Sequence, residues 1–274
     1  MEFVISFLNT ILPIFYFVST YLYGMFFFKN DIFAEKYMSH ILRFTVALHF
    51  AEVVLRGWYY QHFPLASIFE SLSVLALAAI MIYLYLEIRL KVRTTGFFIL
   101  VLVFVLQLIS SAFISFTHDI PEILHSPYFA IHTSAAILGY SGLAISFLYS
   151  VMYLLLFHDI KGSRFGVIYN RLPSLETLAG LNYKAAAVGF SFLTLAILVG
   201  SYWSNKVFGQ FFAVDPKILV AYLTWLIYGI ELLGGRYLKW SSRRLAYLSL
   251  SGFGIILFSM IAVNLLMTSF HEFK

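Results

Sequence analysis

Eight long apolar stretches occupy nearly the whole chain and leave room for little besides membrane-spanning helices. A helix needs about 20 apolar residues to cross the hydrocarbon core of a bilayer. The stretches cover residues 4–27, 39–60, 66–88, 96–116, 128–157, 185–204, 217–238 and 245–268. The first is too long for the core of a signal peptide, so we expect it to be retained. The sequence therefore predicts an all-α, polytopic membrane protein of about eight transmembrane helices, with residues 1–274 in a single transmembrane domain.

The composition agrees with lipid as the solvent for much of the surface. Hydrophobic residues make up 61% of the chain and charged residues only 11%, whereas a soluble domain carries about 25% charged residues. The net charge of +5 does not indicate nucleic-acid binding, because the basic residues lie in short loops between apolar stretches. The absence of cysteine excludes thiol–disulfide chemistry and thiolate ligands from this chain.

The basic residues predict how the chain crosses the membrane. Of the 18 lysines and arginines, 14 fall on the first, third, fifth and seventh loops. Basic loops stay on the cytoplasmic side. We therefore expect both termini and the even-numbered loops on the outer side.

Histidines and aromatic residues gather on this predicted outer side. Five of the eight histidines lie there, namely His62, His118, His125, His132 and His271. Imidazole is a common ligand of metals and of haem iron. Histidines and aromatic rings are also ordinary at a membrane interface, so the pattern alone leaves haem binding, metal binding and simple interfacial placement open. Within the membrane, His49 and Glu231 predict either a functional site in the bundle interior or a hydrogen bond between helices.

Four segments, which begin at His49, Tyr128, Gly200 and Asn264, resemble in this order the cytochrome c assembly family of haem-handling membrane proteins, over residues 40 to 274. HFAEVVLRGWYYQHFPLASIFESL, from His49, resembles the family's second helix, loop and third helix. YFAIHTSAAILGYSGLAISFLYSVMYLLL, from Tyr128, resembles the helix that begins with an external haem-ligand histidine, here His132. GSYWSNKVFGQFFAVDPKILVAYLTW, from Gly200, resembles the tryptophan-rich haem-binding loop. NLLMTSFHEFK resembles the last helix with the second external histidine, here His271.

The resemblance to these CcsA/ResC-type proteins implies a site for haem b on the outer face, formed by loops 117–132 and 200–217 and the tail 268–274. His132 and His271 would be the axial ligands, and His49 a possible ligand within the membrane. The other implied haem contacts are Trp203, Phe208, Phe211, Phe212, Asp215 and Arg56, which we count with the second loop. Either Arg56 or Lys206 would meet a haem propionate. The chain would hold haem for attachment to apocytochrome c, with a membrane partner of the ResB/CcsB type in the bacterial cytoplasmic membrane. It would be at most one subunit of a cytochrome c haem lyase or synthetase complex.

The chain departs from the family pattern at two places. The loop tryptophans are replaced by Phe208, Phe212 and Val214, and a histidine expected in the seventh helix is replaced by Leu233. The pattern VDPKIL leading into the seventh helix and SFH at the tail resemble the divergent HemX-like branch, and the two departures favour it. A regulator of haem biosynthesis that sets the level of glutamyl-tRNA reductase, without ligation activity, therefore stays an alternative. A transporter unrelated to haem would have broken helices in paired halves, which the sequence does not indicate.

Overall fold

The computed structural model describes residues 1–65, 67–115, 126–209, 211 and 216–266, and every regular element in these ranges is a helix. The helices are α1 (Glu2–Lys29), α2 (Ile32–Tyr60), α3 (Ile68–Leu90), α4 (Gly96–Phe113), α5 (Pro127–Lys161), α6 (Val167–Arg171), α7 (Leu175–Phe208), α8 (Pro216–Arg236) and α9 (Ser242–Leu266). Within the described ranges, seven of them, α1 to α5, α7 and α8, are long and apolar enough to cross a membrane. The predicted all-α membrane fold is confirmed, and the short α6 was not predicted.

Helix α7 corrects two of the predicted boundaries. It begins at Leu175, ten residues before the predicted start, because the hydroxyl of Ser174 accepts a hydrogen bond of 3.2 Å from the backbone N–H of Thr177 and caps the helix. The polar residues Asn182 and Lys184 lower the local hydropathy although the helix is continuous through them. At its other end α7 runs to Phe208, which places Trp203 in a helix rather than in a loop.

The described residues divide into two compact units. Unit 1 contains α1 to α4 and the segment 163–173 with α6. In it α1 packs on α2 and α4, and α3 packs on α4 and α2. The guanidinium of Arg171 donates a hydrogen bond of 2.7 Å to the side-chain carbonyl of Asn30 and joins the segment to the end of α1.

Unit 2 contains α5, α7, α8 and α9. Glycines allow α5 and α7 to approach each other closely, since a β-carbon on Gly142 would lie 2.7 Å from the Cα of Gly189. A β-carbon on Gly139 would lie 2.9 Å from the backbone nitrogen of Leu193. At 35 and 34 residues, α5 and α7 are each about 50 Å long. They are longer than the hydrocarbon core, which is about 30 Å thick.

Candidate functional site

The ring of His132 packs from the second turn of α5 against α7. Its Nδ1 atom lies 2.9 Å from the backbone carbonyl oxygen of Ala196. Because a carbonyl oxygen only accepts hydrogen bonds, Nδ1 carries the N–H, and Nε2 of the neutral ring keeps its lone pair. Metal-binding histidines usually donate their other ring N–H to a carbonyl or carboxylate in this way. The orientation of His132 is therefore suited to axial ligation of haem iron through Nε2.

Gly200 provides the space that this ring occupies. A β-carbon at residue 200 would lie 2.6 Å from Nδ1 and 2.7 Å from Cε1 of His132. Contacts of this length are not compatible with a side chain, and a ring held in place by a backbone hydrogen bond has little freedom to withdraw. The sequence analysis quoted Gly200 only as the start of a segment and missed its relation to His132.

Aromatic side chains continue the contact between α5 and α7 by one further turn. The rings of Phe129 and Trp203 lie 5.8 Å apart at 56°, and those of Tyr128 and Tyr202 lie 5.5 Å apart at 55°. Residues three apart lie on the same face of a helix. Phe129 therefore shares the face of His132, and Trp203 shares the face of Gly200. The structure thus places two predicted residues, His132 and Trp203, about one turn apart along the contact between α5 and α7.

Lys206 adds a positive charge beside these rings. Its ammonium lies 5.2 Å from the ring centre of Tyr202 and 5.6 Å from that of Tyr128. Both distances are within the range of cation–π attraction. The side chain is exposed, so its ammonium can also meet an anionic group of a ligand at this end of α7.

Several predicted contacts lie outside the described residues. They are His271, Phe212, Asp215 and the side chain of Phe208, and the outer-side histidines His118 and His125 lie outside the described residues as well. Phe211 is described, and its side chain is 52% exposed. The contribution of this set to the site stays a prediction.

Arg56 is not in the second loop, and that prediction is wrong. It lies near the end of α2 and is fully buried inside unit 1. Its Nη1 atom is 3.6 Å from Oε1 of Glu52, one turn earlier, which is equally buried. Among the described residues, none of the three Arg56 nitrogens and neither Glu52 oxygen has a hydrogen-bond partner. Arg56 is therefore enclosed with its counter-charge and is not displayed at the surface.

His49 is buried in unit 1, and both of its ring nitrogens are hydrogen-bonded. Nδ1 lies 2.9 Å from the hydroxyl of Tyr16 on α1, and Nε2 lies 2.9 Å from the hydroxyl of Ser73 on α3. An iron ligand must offer a free nitrogen lone pair. In this arrangement His49 offers none, so ligation would require one of the two hydroxyls to leave.

A series of further hydrogen bonds, which begins at Ser73, determines the tautomer of His49. The hydroxyl of Ser73 donates to the amide oxygen of Gln107 at 3.2 Å. The amide nitrogen of Gln107 donates to Ser111 at 3.0 Å, and Ser111 donates to the backbone carbonyl of Asn9 at 2.9 Å. Since Ser73 has one hydroxyl proton, which it gives to Gln107, it accepts from Nε2–H of His49, and Nδ1 accepts from the tyrosine. Helices α1, α2, α3 and α4 all contribute residues to this series of hydrogen bonds.

Three buried carboxyl groups of unit 1, those of Glu52, Glu70 and Glu87, were missed by the sequence analysis. The carboxylate of Glu87 accepts hydrogen bonds of 2.6 Å from Tyr23, 2.7 Å from Tyr83 and 2.7 Å from Ser39. For Glu52 a signal was present, since it follows His49 by three residues and precedes Arg56 by four. That spacing places all three on one face of α2.

Glu231 lies in the interior of unit 2, where a hydrogen bond between helices was one of the two expectations. The hydroxyl of Ser249 on α9 is 2.6 Å from its Oε1 atom. Leu233, which stands where the family pattern has a histidine, is 57% exposed and does not face that interior. The two residues are therefore not equivalent in the fold.

Comparison with known proteins assigns the chain to a family. The sequence profile described as "Cytochrome C assembly protein" matches residues 65–271. The chain belongs to this cytochrome c assembly family. Its role therefore lies in the biogenesis of c-type cytochromes and in haem handling, and it is a multi-pass membrane protein.

Several relatives carry the name cytochrome c biogenesis protein CcsA. The protein from Chlamydomonas reinhardtii is 30% identical over 77% of this chain, and this chain spans 61% of its length. The protein from Prochlorococcus marinus (strain MIT 9215) is 26% identical over 91% of this chain and 87% of its own. These family members give no support to the HemX-like alternative.

A solved structure with a similar fold is the cytochrome c haem lyase CcmF. The TM-score is 0.65 at 15% sequence identity, and the match covers 91% of this chain but 46% of that protein. At this level of identity the likeness concerns the fold alone.

Proposed function

We propose that this family member holds haem on the outer face of unit 2 while c-type cytochromes are assembled, with Nε2 of His132 as one axial ligand. The observation that carries the proposal is the hydrogen bond from His132 Nδ1–H to the Ala196 carbonyl. It fixes the tautomer and the ring orientation that a metal-binding imidazole requires.

The rest of the proposed site follows from the family pattern and from neighbouring side chains. His271 is the second proposed ligand, and Trp203 with Phe208, Phe211 and Phe212 forms an apolar wall, next to a loop ordered by Asp215. Lys206 is a better partner for a haem propionate than Arg56. Its ammonium is exposed one turn after Trp203, whereas Arg56 is enclosed with Glu52.

The proposed substrates are haem b and an apocytochrome c. Haem supplies the vinyl groups, and the apocytochrome supplies the cysteines for thioether bonds, because this chain contains none. The task of this chain is then to bind the ring, orient it and keep its iron ligated. We further propose a membrane partner of the ResB/CcsB type, a location in the bacterial cytoplasmic membrane and both termini outside. In such a complex the chain is at most one subunit of the haem lyase.

The visible absorption spectrum of the detergent-purified protein, oxidised and reduced, tests this proposal. We expect a haem spectrum with two histidine ligands in the parent, lost or strongly weakened in His132→Ala and in His271→Ala. His158→Ala is the matched control. His158 lies at the other end of α5 and its Nδ1 also contacts a backbone carbonyl, that of Leu154 at 2.9 Å, but its ring is exposed. A folded parent that takes up no added haem would contradict the proposal.

A further inference from the structure

Each helix of unit 2 contributes one polar side chain to a cluster in its interior. The four are Ser146 on α5, Asn182 on α7, Glu231 on α8 and Ser249 on α9, and none is more than 3% exposed. Oε1 of Glu231 lies 2.6 Å from the hydroxyl oxygen of Ser249 and 3.4 Å from the amide nitrogen of Asn182. Ser146 donates to the amide oxygen of Asn182. The other carboxyl oxygen, Oε2, is buried and has no hydrogen-bond partner in the part of the chain that the structure describes.

No positive charge compensates this carboxyl group among the described residues. Glu52 and Arg56 do form an ion pair within the described residues, but both belong to unit 1. Two arginines of α9 face aromatic rings, with Arg243 5.4 Å from Phe157 and Arg244 5.0 Å from Trp240. An ionised carboxylate in an apolar interior, with neutral hydrogen-bond donors on one oxygen only, is strongly disfavoured. The lack of a compensating positive charge among the described residues therefore favours the protonated, neutral form of Glu231.

The hydrogen-bond geometry accommodates that proton. With the proton on Oε1, Glu231 donates to Ser249, and the hydroxyl of Ser249 turns to the amide oxygen of Asn182 at 3.1 Å. With the proton absent, Ser249 must donate to Oε1, and the negative charge is left with Oε2 unpaired. The neutral arrangement gives each hydroxyl proton an acceptor, whereas the ionised one buries an uncompensated charge.

We propose that Glu231 is a proton-binding site inside unit 2, loaded at neutral pH. The groups facing it are neutral on α5, α7 and α9, and on its own helix Tyr228 donates to the backbone carbonyl of Ser249 at 3.1 Å. The described residues contain no group of three or more histidine, aspartate or glutamate side chains that could hold a metal ion. An ionised Glu231 needs water or a cation beside it.

Infrared spectroscopy of the haem-free protein tests this inference independently of haem binding. The difference between the parent and Glu231→Gln at neutral pH should contain the C=O band of a protonated carboxylic acid. Glu176→Gln is the control, because Glu176 is exposed in the first turn of α7, and its difference spectrum should contain carboxylate bands. A Glu231→Gln difference with carboxylate bands alone would overturn the inference.

Two further measurements cover a poorly folding variant and a different occupant. Ser249→Ala keeps the carboxyl group and removes its hydroxyl partner, so the acid band should persist at a shifted frequency. An unshifted spectrum would overturn the assignment. Sodium chloride at constant pH should leave the band unchanged. Conversion of the acid band to carboxylate bands by sodium would identify a cation site and overturn the proton site.

Discussion

Gly200 of α7 packs against the imidazole of His132, and a β-carbon at this position would lie 2.6 Å from Nδ1. The contact joins the two longest helices of unit 2 at the proposed haem ligand. The glycine and the Ala196 carbonyl together set the direction in which Nε2 points.

Gly200→Ala should therefore weaken haem binding without removing a ligand. The methyl group displaces the ring from its hydrogen bond, and loss of such an orienting contact costs about 10- to 100-fold in metal affinity. Haem titration followed by absorption measures the change. Gly180→Ala on the same helix is the control, because nothing lies within 4 Å of its β-carbon position. Equal affinities for the two variants would contradict the positioning role.

The hydrogen bond from Tyr16 to His49 should contribute to the stability of unit 1. Tyr16→Phe leaves a buried imidazole nitrogen without its donor, at a cost of about 1–3 kcal/mol. Reversible unfolding in mixed micelles measures the free energy of unfolding. Tyr21→Phe serves as the control, since Tyr21 is on the same helix and 57% exposed. A loss no larger than that of the control would show that the bond to Nδ1 carries no stability.

Removing one member of the buried pair of Glu52 and Arg56 should lower the free energy of unfolding far more than replacing both members together. Arg56→Met or Glu52→Leu alone leaves one uncompensated charge in the interior, at about 3–5 kcal/mol. The double variant removes both charges, so its loss of unfolding free energy should be much smaller than the sum of the single losses. A double-mutant cycle measures this coupling. Additive losses would mean that the two side chains do not compensate each other.

Sequence alone placed a long helix at each of the eight apolar stretches, because length and apolarity decide whether a segment can cross a bilayer. Seven of these eight helices are long and apolar enough to span a membrane within the described residues, and α9 is the exception. The sequence analysis placed the start of α7 too late, since a hydropathy window does not register the cap at Ser174. It expected Arg56 in a loop, because it did not pair this arginine with Glu52 one turn away. The packing of the His132 ring against Gly200 depends on the contact between α5 and α7. No local sequence pattern encodes that contact.

Replacement of the proposed ligand followed by chemical rescue tests the central claim most directly. His132→Gly removes the imidazole, and free imidazole can occupy the space and supply the same nitrogen. We predict that the haem spectrum is lost in this variant and returns when imidazole is added, while the His158→Gly control is unaffected. A His132→Gly protein that keeps the parent haem spectrum without imidazole would contradict the assignment of His132 as an axial ligand.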